Sequence, residues 1–146
     1  MQKDMIRVAL YVRGATEKSV LKKYEQGMQL VKEKGWTLVD CYIELGSTNK
    51  KNRTEYKRLL EDMKTDKFDI VVTESIESLT RTLDGMSYFE SELNKQNKQL
   101  YFYNEGKFYN PEDRLANVIK IMILENSDRQ MSRRVKNSYK YRAKQG

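Results

Sequence analysis

Histidine is absent from the 146 residues. Without an imidazole there is no Ser-His-Asp or Cys-His activation of a nucleophile, no His-x-Glu deaminase site and none of the usual zinc hydrolase centres. Cysteine occurs once, at Cys41, which excludes an internal disulfide and a Cys-x-x-Cys metal knuckle and makes a reducing cytoplasm the expected compartment. Long apolar runs are missing as well. The longest, Val8–Val12, falls far short of the ~20 residues a membrane helix needs. Arg7 and Arg13 bracket it, so the start of the chain has no signal-peptide core and no membrane partner is expected. The sequence shows no phosphate-cradling glycine loop, repeat, low-complexity segment or internal linker. Glu74 and Glu77 are two acids after a strand, too little for a Mg²⁺ site. Neither a metal nor a cofactor is expected.

Charge is abundant. Lys and Arg number 28 against 21 Asp and Glu, for a net charge of +7, and charged residues make up 34%, above the ~25% typical of soluble domains. The length suits one domain with a single core. Residues 126–146 hold Arg129, Arg133, Arg134, Lys136, Lys140, Arg142 and Lys144 against Asp128 alone, so nearly all of the excess charge lies in the last 21 residues. A near-neutral body with a basic tail is the electrostatic footprint of a nucleic-acid binder. A solvated helix end would look the same in composition.

Hydrophobic spacing predicts strands at Ile6–Arg13, Trp36–Ile43, Phe68–Thr73 and Gln99–Tyr103, and helices at Thr16–Lys34, Thr54–Lys64 and Thr82–Gln96. The third strand is almost wholly apolar, as a strand covered on both faces should be. Strands alternating with amphipathic helices imply an α/β domain with a largely parallel sheet of four to five strands. The end of the chain departs from that rhythm. Asn110-Pro111-Glu112-Asp113 is a helix start, with an Asn cap, Pro in the first turn and two acids beside the positive helix end. Nothing after it breaks a helix, which if continuous would run on the order of 50 Å. Leu115, Val118, Ile119 and Met122 are expected on one face, with Ile121, Ile123 and Leu124 to the sides. So wide an apolar surface suggests packing on the body and against a partner chain. The expected division is a body over residues 1–109 and a basic helical arm over 110–146.

The first strand ends in Tyr11-Val12-Arg13-Gly14-Ala15-Thr16, which resembles the strand-Tyr-x-Arg-x-Ser-Thr signature of the serine recombinases, the resolvase/invertase family. Glu44-Leu45-Gly46-Ser47-Thr48 is similar to that family's Asp-x-Gly-x-Ser loop, and Arg53 stands where the family has an Arg before its next helix. Glu77-Ser78-Leu79-Thr80-Arg81 is similar to Asp-Arg-Leu-Ser-Arg, and the segment with Asp128-Arg129 and Arg133-Arg134-Val135 resembles the helix that dimerises the family and then crosses DNA. The motifs occur in order and span about Ile6 to Lys144. The resemblance implies a three-layer resolvase-like domain with a long C-terminal dimerisation helix, acting on double-stranded DNA as a homodimer. A tetramer, or a heteromer with an active recombinase, is also compatible with it, as is an origin in a bacterium, phage or mobile element. It implies attack of a Ser hydroxyl on a phosphodiester, with Arg13, Arg53 and Arg81 as the guanidinium groups that stabilise the crowded anionic transition state.

Departures fall on the chemistry. The nucleophile position is Ala15, whose methyl group cannot attack phosphorus. Ser78 replaces a motif Arg, Glu77 replaces its Asp, and Ser19 and Tyr24 stand where the family commonly has Gln. The fold positions Tyr11, Leu21, Gly35, Gly46 and Leu79 are retained. The expectation is a recombinase-type domain that binds DNA through Arg129, Arg133, Arg134, Lys136, Lys140 and Arg142 without cleaving it. Two alternatives remain open at this point: an excised or mutated catalytic domain of an active site-specific recombinase, and a dimerisation module with no DNA role. Members of the family usually carry a separate DNA-reading domain after the long helix; none is expected within these residues.

Overall fold

The computed structural model describes residues 5–46 and 53–145, with side chains described as far as residue 130. The elements are β1 (Arg7–Gly14), α1 (Glu17–Lys34), β2 (Thr37–Leu45), α2 (Thr54–Lys64), β3 (Ile70–Thr73), α3 (Ile76–Leu79), α4 (Leu83–Gln96), β4 (Gln99–Phe102), β5 (Lys107–Phe108) and α5 (Arg114–Gln145). A 3₁₀ turn at Pro111–Asp113 leads into α5. The sheet order is β2-β1-β3-β4-β5. The first four strands are parallel, and only β5 runs antiparallel, against β4.

Period-two alternation splits the apolar side chains between two cores. Val8, Leu10, Val12, Ile70, Val72 and Tyr101 meet α1 through Val20, Tyr24, Met28 and Val31. Ala9, Tyr11, Val71, Leu100 and Phe102 face the other way, onto Leu59 and Met63 of α2, Met86, Phe89 and Leu93 of α4, and Ile121 of α5. The result is three layers, with α1 on one face of the sheet and α2, α4 and α5 on the other. Because β3 is buried on both faces, all four of its residues are inside.

Local signals set the helix ends. The Thr16 and Thr82 side chains accept from Ser19 N–H and Gly85 N–H and cap α1 and α4. Each therefore precedes its helix by one residue. Gly35, at φ 70°, stops α1 in the left-handed conformation that glycine adopts without a Cβ penalty. Gly27 serves a different need: a Cβ built there would lie 2.6 Å from Leu10 Cδ1, so α1 crosses β1 at its closest approach where there is no side chain.

Three features differ from the sequence expectation. Strand β2 runs two residues further, to Leu45, because it stays paired with β1 through Gly14↔Leu45. The expected count of four to five strands allows for β5, but neither it nor α3 is located by the sequence; a four-residue helix and a two-residue strand are too brief to leave a periodic pattern. The third concerns α5. Ile121, expected at the side, is fully buried, and Asn117 is buried with it. Val118 and Leu124 pack partly against the same core. Leu115, Ile119, Met122 and Ile123 remain 50–70% exposed. The body-facing stripe is thus Asn117-Ile121-Leu124, and the Leu115-Ile119-Met122 stripe faces away from the core. Among the described residues, no helix is long and apolar enough to cross a membrane.

Candidate functional site

In a parallel sheet of order 2-1-3-4 the chain leaves β1 and β3 in opposite directions, which opens a crevice at their carboxyl ends. A cavity of about 390 Å³ lies there, lined by residues that follow three strands and one that projects from α1. Arg13, Gly14 and Ala15 come from the end of β1 and Gly46 from the end of β2. Glu74, Ser75, Glu77, Ser78 and Arg81 come from the segment after β3, and Lys23 from α1. Fold topology therefore brings together Arg13, Ala15, Ser78 and Arg81, which lie far apart in sequence.

Arg13 is the most enclosed of the cations, at 5% exposure. Burial pushes its guanidinium pKa down, and the positive charge of Arg53 and, more weakly, of Arg81 acts in the same direction, against the hydroxyl of Tyr11. An Arg stays charged under such pressure, so Arg13 carries its charge in an enclosed place made more positive by Arg53 and Arg81. Arg53 does not line the cavity. It sits behind it, with Nη2 donating to Tyr11 Oη at 3.1 Å and its guanidinium 4.0 Å from the Tyr56 ring centroid. Its Nε is buried and has no partner among the described residues. Burial raises the pKa of the Tyr11 hydroxyl against the opposing pull of Arg53, so this phenol stays protonated near neutral pH.

Arg81 is held from outside the body. Its Nη2 and Nε donate to Asp128 of α5 at 3.1 and 3.3 Å, and one turn earlier Glu125 accepts from Leu83 N–H at the start of α4 at 2.7 Å. Helix α5 is thereby tied to the rim of the cavity, and Arg129, next to Asp128, is exposed. Ser78 is buried within α3, its N–H donating to Ser75 O at 3.1 Å. Ala15 is exposed at the mouth. The neighbouring hydroxyl, Thr16, is occupied in capping α1, accepting from Ser19 N–H at 3.1 Å. Ser47 and Thr48 lie outside the described residues, as do the side chains of Arg133, Arg134, Lys136, Lys140 and Arg142, although the backbone of α5 is helical through those positions.

Sequence reasoning missed Lys23. Its Nζ donates to Arg13 O at 2.9 Å and pairs with Glu74 Oε1 at 3.3 Å, and its own carbonyl accepts from Tyr103 Oη at 3.2 Å. The available signal was its place three residues after Val20 on the sheet-facing side of α1. Among the described residues no group of three or more Cys, Asp or Glu converges as a metal site would require.

The arrangement puts two guanidinium groups, Arg13 and Arg81, in the lining of one cavity and no hydroxyl at position 15. The family model described as the resolvase N-terminal domain matches residues 8–146. No curated protein sequence matches. Among solved structures, the N-terminal catalytic domain of TP901-1 integrase is similar at a TM-score of 0.65 with 22% identity, over 89% of this chain and 98% of that one. A resolvase family site-specific recombinase from Streptococcus pneumoniae is similar at a TM-score of 0.66 with 15% identity, over 97% and 99%. The C-terminal catalytic domain of ISC1926 TnpA, an IS607-like serine recombinase, is similar at 0.62 with 14% identity, over 87% and 99%.

Proposed function

The chain belongs to the resolvase N-terminal domain family of serine recombinases, and on that premise we propose that it is a DNA-binding recombinase-type domain that has lost strand cleavage. One observation carries this: the crevice beyond β1 and β3 keeps Arg13 and Arg81 in its lining, with Arg53 behind them, while position 15 at its mouth presents a methyl group. Guanidinium groups gathered around one crevice suit phosphate binding. Transfer also requires a nucleophile, and misplacing one by ~1 Å already costs ~10²-fold, so a neighbouring hydroxyl does not replace the missing one.

In this proposal residues 1–109 form the body and 110–146 the arm. The exposed stripe of Leu115, Ile119 and Met122 on α5 pairs two chains, and Arg129, Arg133, Arg134, Lys136, Lys140 and Arg142 follow the phosphate backbone of duplex DNA. Contacts of that kind position a protein on DNA and carry little base information.

Two measurements test it. Incubation with duplex DNA followed by denaturing electrophoresis should leave no covalent protein–DNA adduct; an adduct that survives denaturation overturns the loss of cleavage. Titration of duplex DNA at rising salt should give a log–log slope of about −0.9 per phosphate contact. Replacing Arg133, Arg134, Lys136 and Lys140 with Gln should flatten that slope, and an unchanged slope removes the DNA arm.

A further inference from the structure

We propose that Lys23 is a phosphate-contacting residue of this crevice, held in place by Glu74 until DNA arrives. The inference rests on the DNA-binding reading above and adds a residue and a counter-ion to it. Lys23 projects from α1 into the same cavity as Arg13, Ala15, Ser78 and Arg81, and its side chain is 27% exposed, enclosed enough to be ordered and open enough to be reached. Its ammonium has three N–H donors. Arg13 O takes one at 2.9 Å, and Glu74 Oε1 stands 3.3 Å away as an ion-pair partner; no other described residue accepts from the ammonium.

The charge balance of the cavity sharpens the case. Its cations are Arg13, Lys23 and Arg81, and its anions Glu74 and Glu77. Arg81 is already engaged by Asp128. Lys23 is the cation whose position is fixed by a backbone carbonyl, which carries no net charge, and whose carboxylate is only one of two partners. A phosphate entering between Arg13 and Lys23 can displace Glu74 while the carbonyl bond keeps the ammonium in register. Ser78, a buried residue of the same lining, has no charge to offer in that exchange.

The same pair predicts effects of opposite sign. Lys23→Gln removes one phosphate contact, so the salt slope for a short mixed-sequence duplex should fall by about 0.9 and affinity several-fold at moderate salt. Glu74→Gln removes the competing carboxylate and should raise affinity several-fold. Both are read by fluorescence anisotropy of the labelled duplex, with thermal melting alongside. If Lys23 merely ties α1 to β1, Lys23→Gln lowers the melting temperature and leaves the slope of the wild-type protein, which overturns the proposal. Should Lys23→Gln fail to fold, Glu74→Gln decides alone: unchanged or weaker binding overturns it. If the wild-type chain itself shows no salt-dependent binding, the DNA reading has failed, and this inference with it. A wild-type slope shared by both variants refutes Lys23 only.

Discussion

Substituting Gly27 with Ala pits two known effects against each other at one position. In an exposed helix interior the change stabilises by roughly 0.8–1 kcal/mol, because Ala loses less backbone entropy than Gly. Here the added methyl would sit 2.6 Å from Leu10 Cδ1, 3.0 Å from Cδ2 and 3.3 Å from Cγ. Leu10 cannot swing away, since it is fully buried between α1 and its neighbours in the sheet. Either Leu10 leaves its rotamer or α1 lifts off β1, and overpacking of this kind costs about 1–3 kcal/mol. The net expectation is a loss of about 1 kcal/mol, which for a chain of this size lowers Tm by roughly 2–4 °C. Thermal and urea unfolding would measure it. The double variant with Leu10→Ala supplies the internal control: removing the obstructing atoms should make room for the new methyl group, so the two changes together cost less than their sum. A Gly27→Ala protein more stable than the parent, or strict additivity with Leu10→Ala, would refute the close crossing of α1 on β1. The outcome also bears on the site, because α1 carries Lys23 in its second turn and starts just after Ala15.

Ala15→Ser alone should give no covalent adduct with duplex DNA, since Ser78 still lacks the motif guanidinium; an adduct from the single change would show a working recombinase altered at one residue. Ile119→Asp combined with Met122→Asp should convert a dimer to a monomer in sedimentation velocity. Both side chains are exposed on the single chain, so its fold should survive the change, with the apparent melting temperature lowered only by loss of the dimer's mass-action contribution; an unaltered dimer would remove α5 as the seam. Asp40 supplies a pH test. Burial pushes its carboxyl up, but hydrogen bonds from Lys67 at 2.8 Å and Arg58 at 2.7 Å, with Cys41 N–H at 2.8 Å, outweigh this and hold it at about 2. Because the folded value lies below the unfolded one near ~3.9, its contribution is complete above about pH 4 and is lost as pH falls toward about 2. Asp40→Asn should therefore destabilise by about 1 kcal/mol at neutral pH, after allowance for solvent screening of the partly exposed partners. It should also flatten the acid limb of the stability curve; an acid limb identical to wild type would refute the assignment.

The sequence by itself determined the α/β alternation, because β1, β3 and β4 are short unbroken apolar runs, whereas α1, α2 and α4 carry apolar residues at helical spacing. It also marked the Asn110 cap, and it placed Thr16 and Thr82 at their helix starts, where the structure shows them one residue outside as caps; all three accept N–H groups that a helix start leaves unpaired. Motif order marks Arg13, Ala15, Arg53, Ser78 and Arg81 as one group; the sheet places four of them around a single cavity and leaves Arg53 out of its lining. Tertiary structure alone decided the rest. In α5 nearly every side between Leu115 and Leu124 is apolar, so periodicity could not choose which stripe meets the body. Packing against α4 and the sheet buries Ile121 and leaves Ile119 outside. Arg53 stands behind the cavity because Tyr11, one strand away, intercepts its guanidinium. Lys23 and Glu74 are 51 residues apart and meet because α1 crosses the carboxyl end of the sheet where β3 ends. Local sequence fixes backbone conformation and caps, whereas a contact between distant side chains exists only once the strands between them are paired.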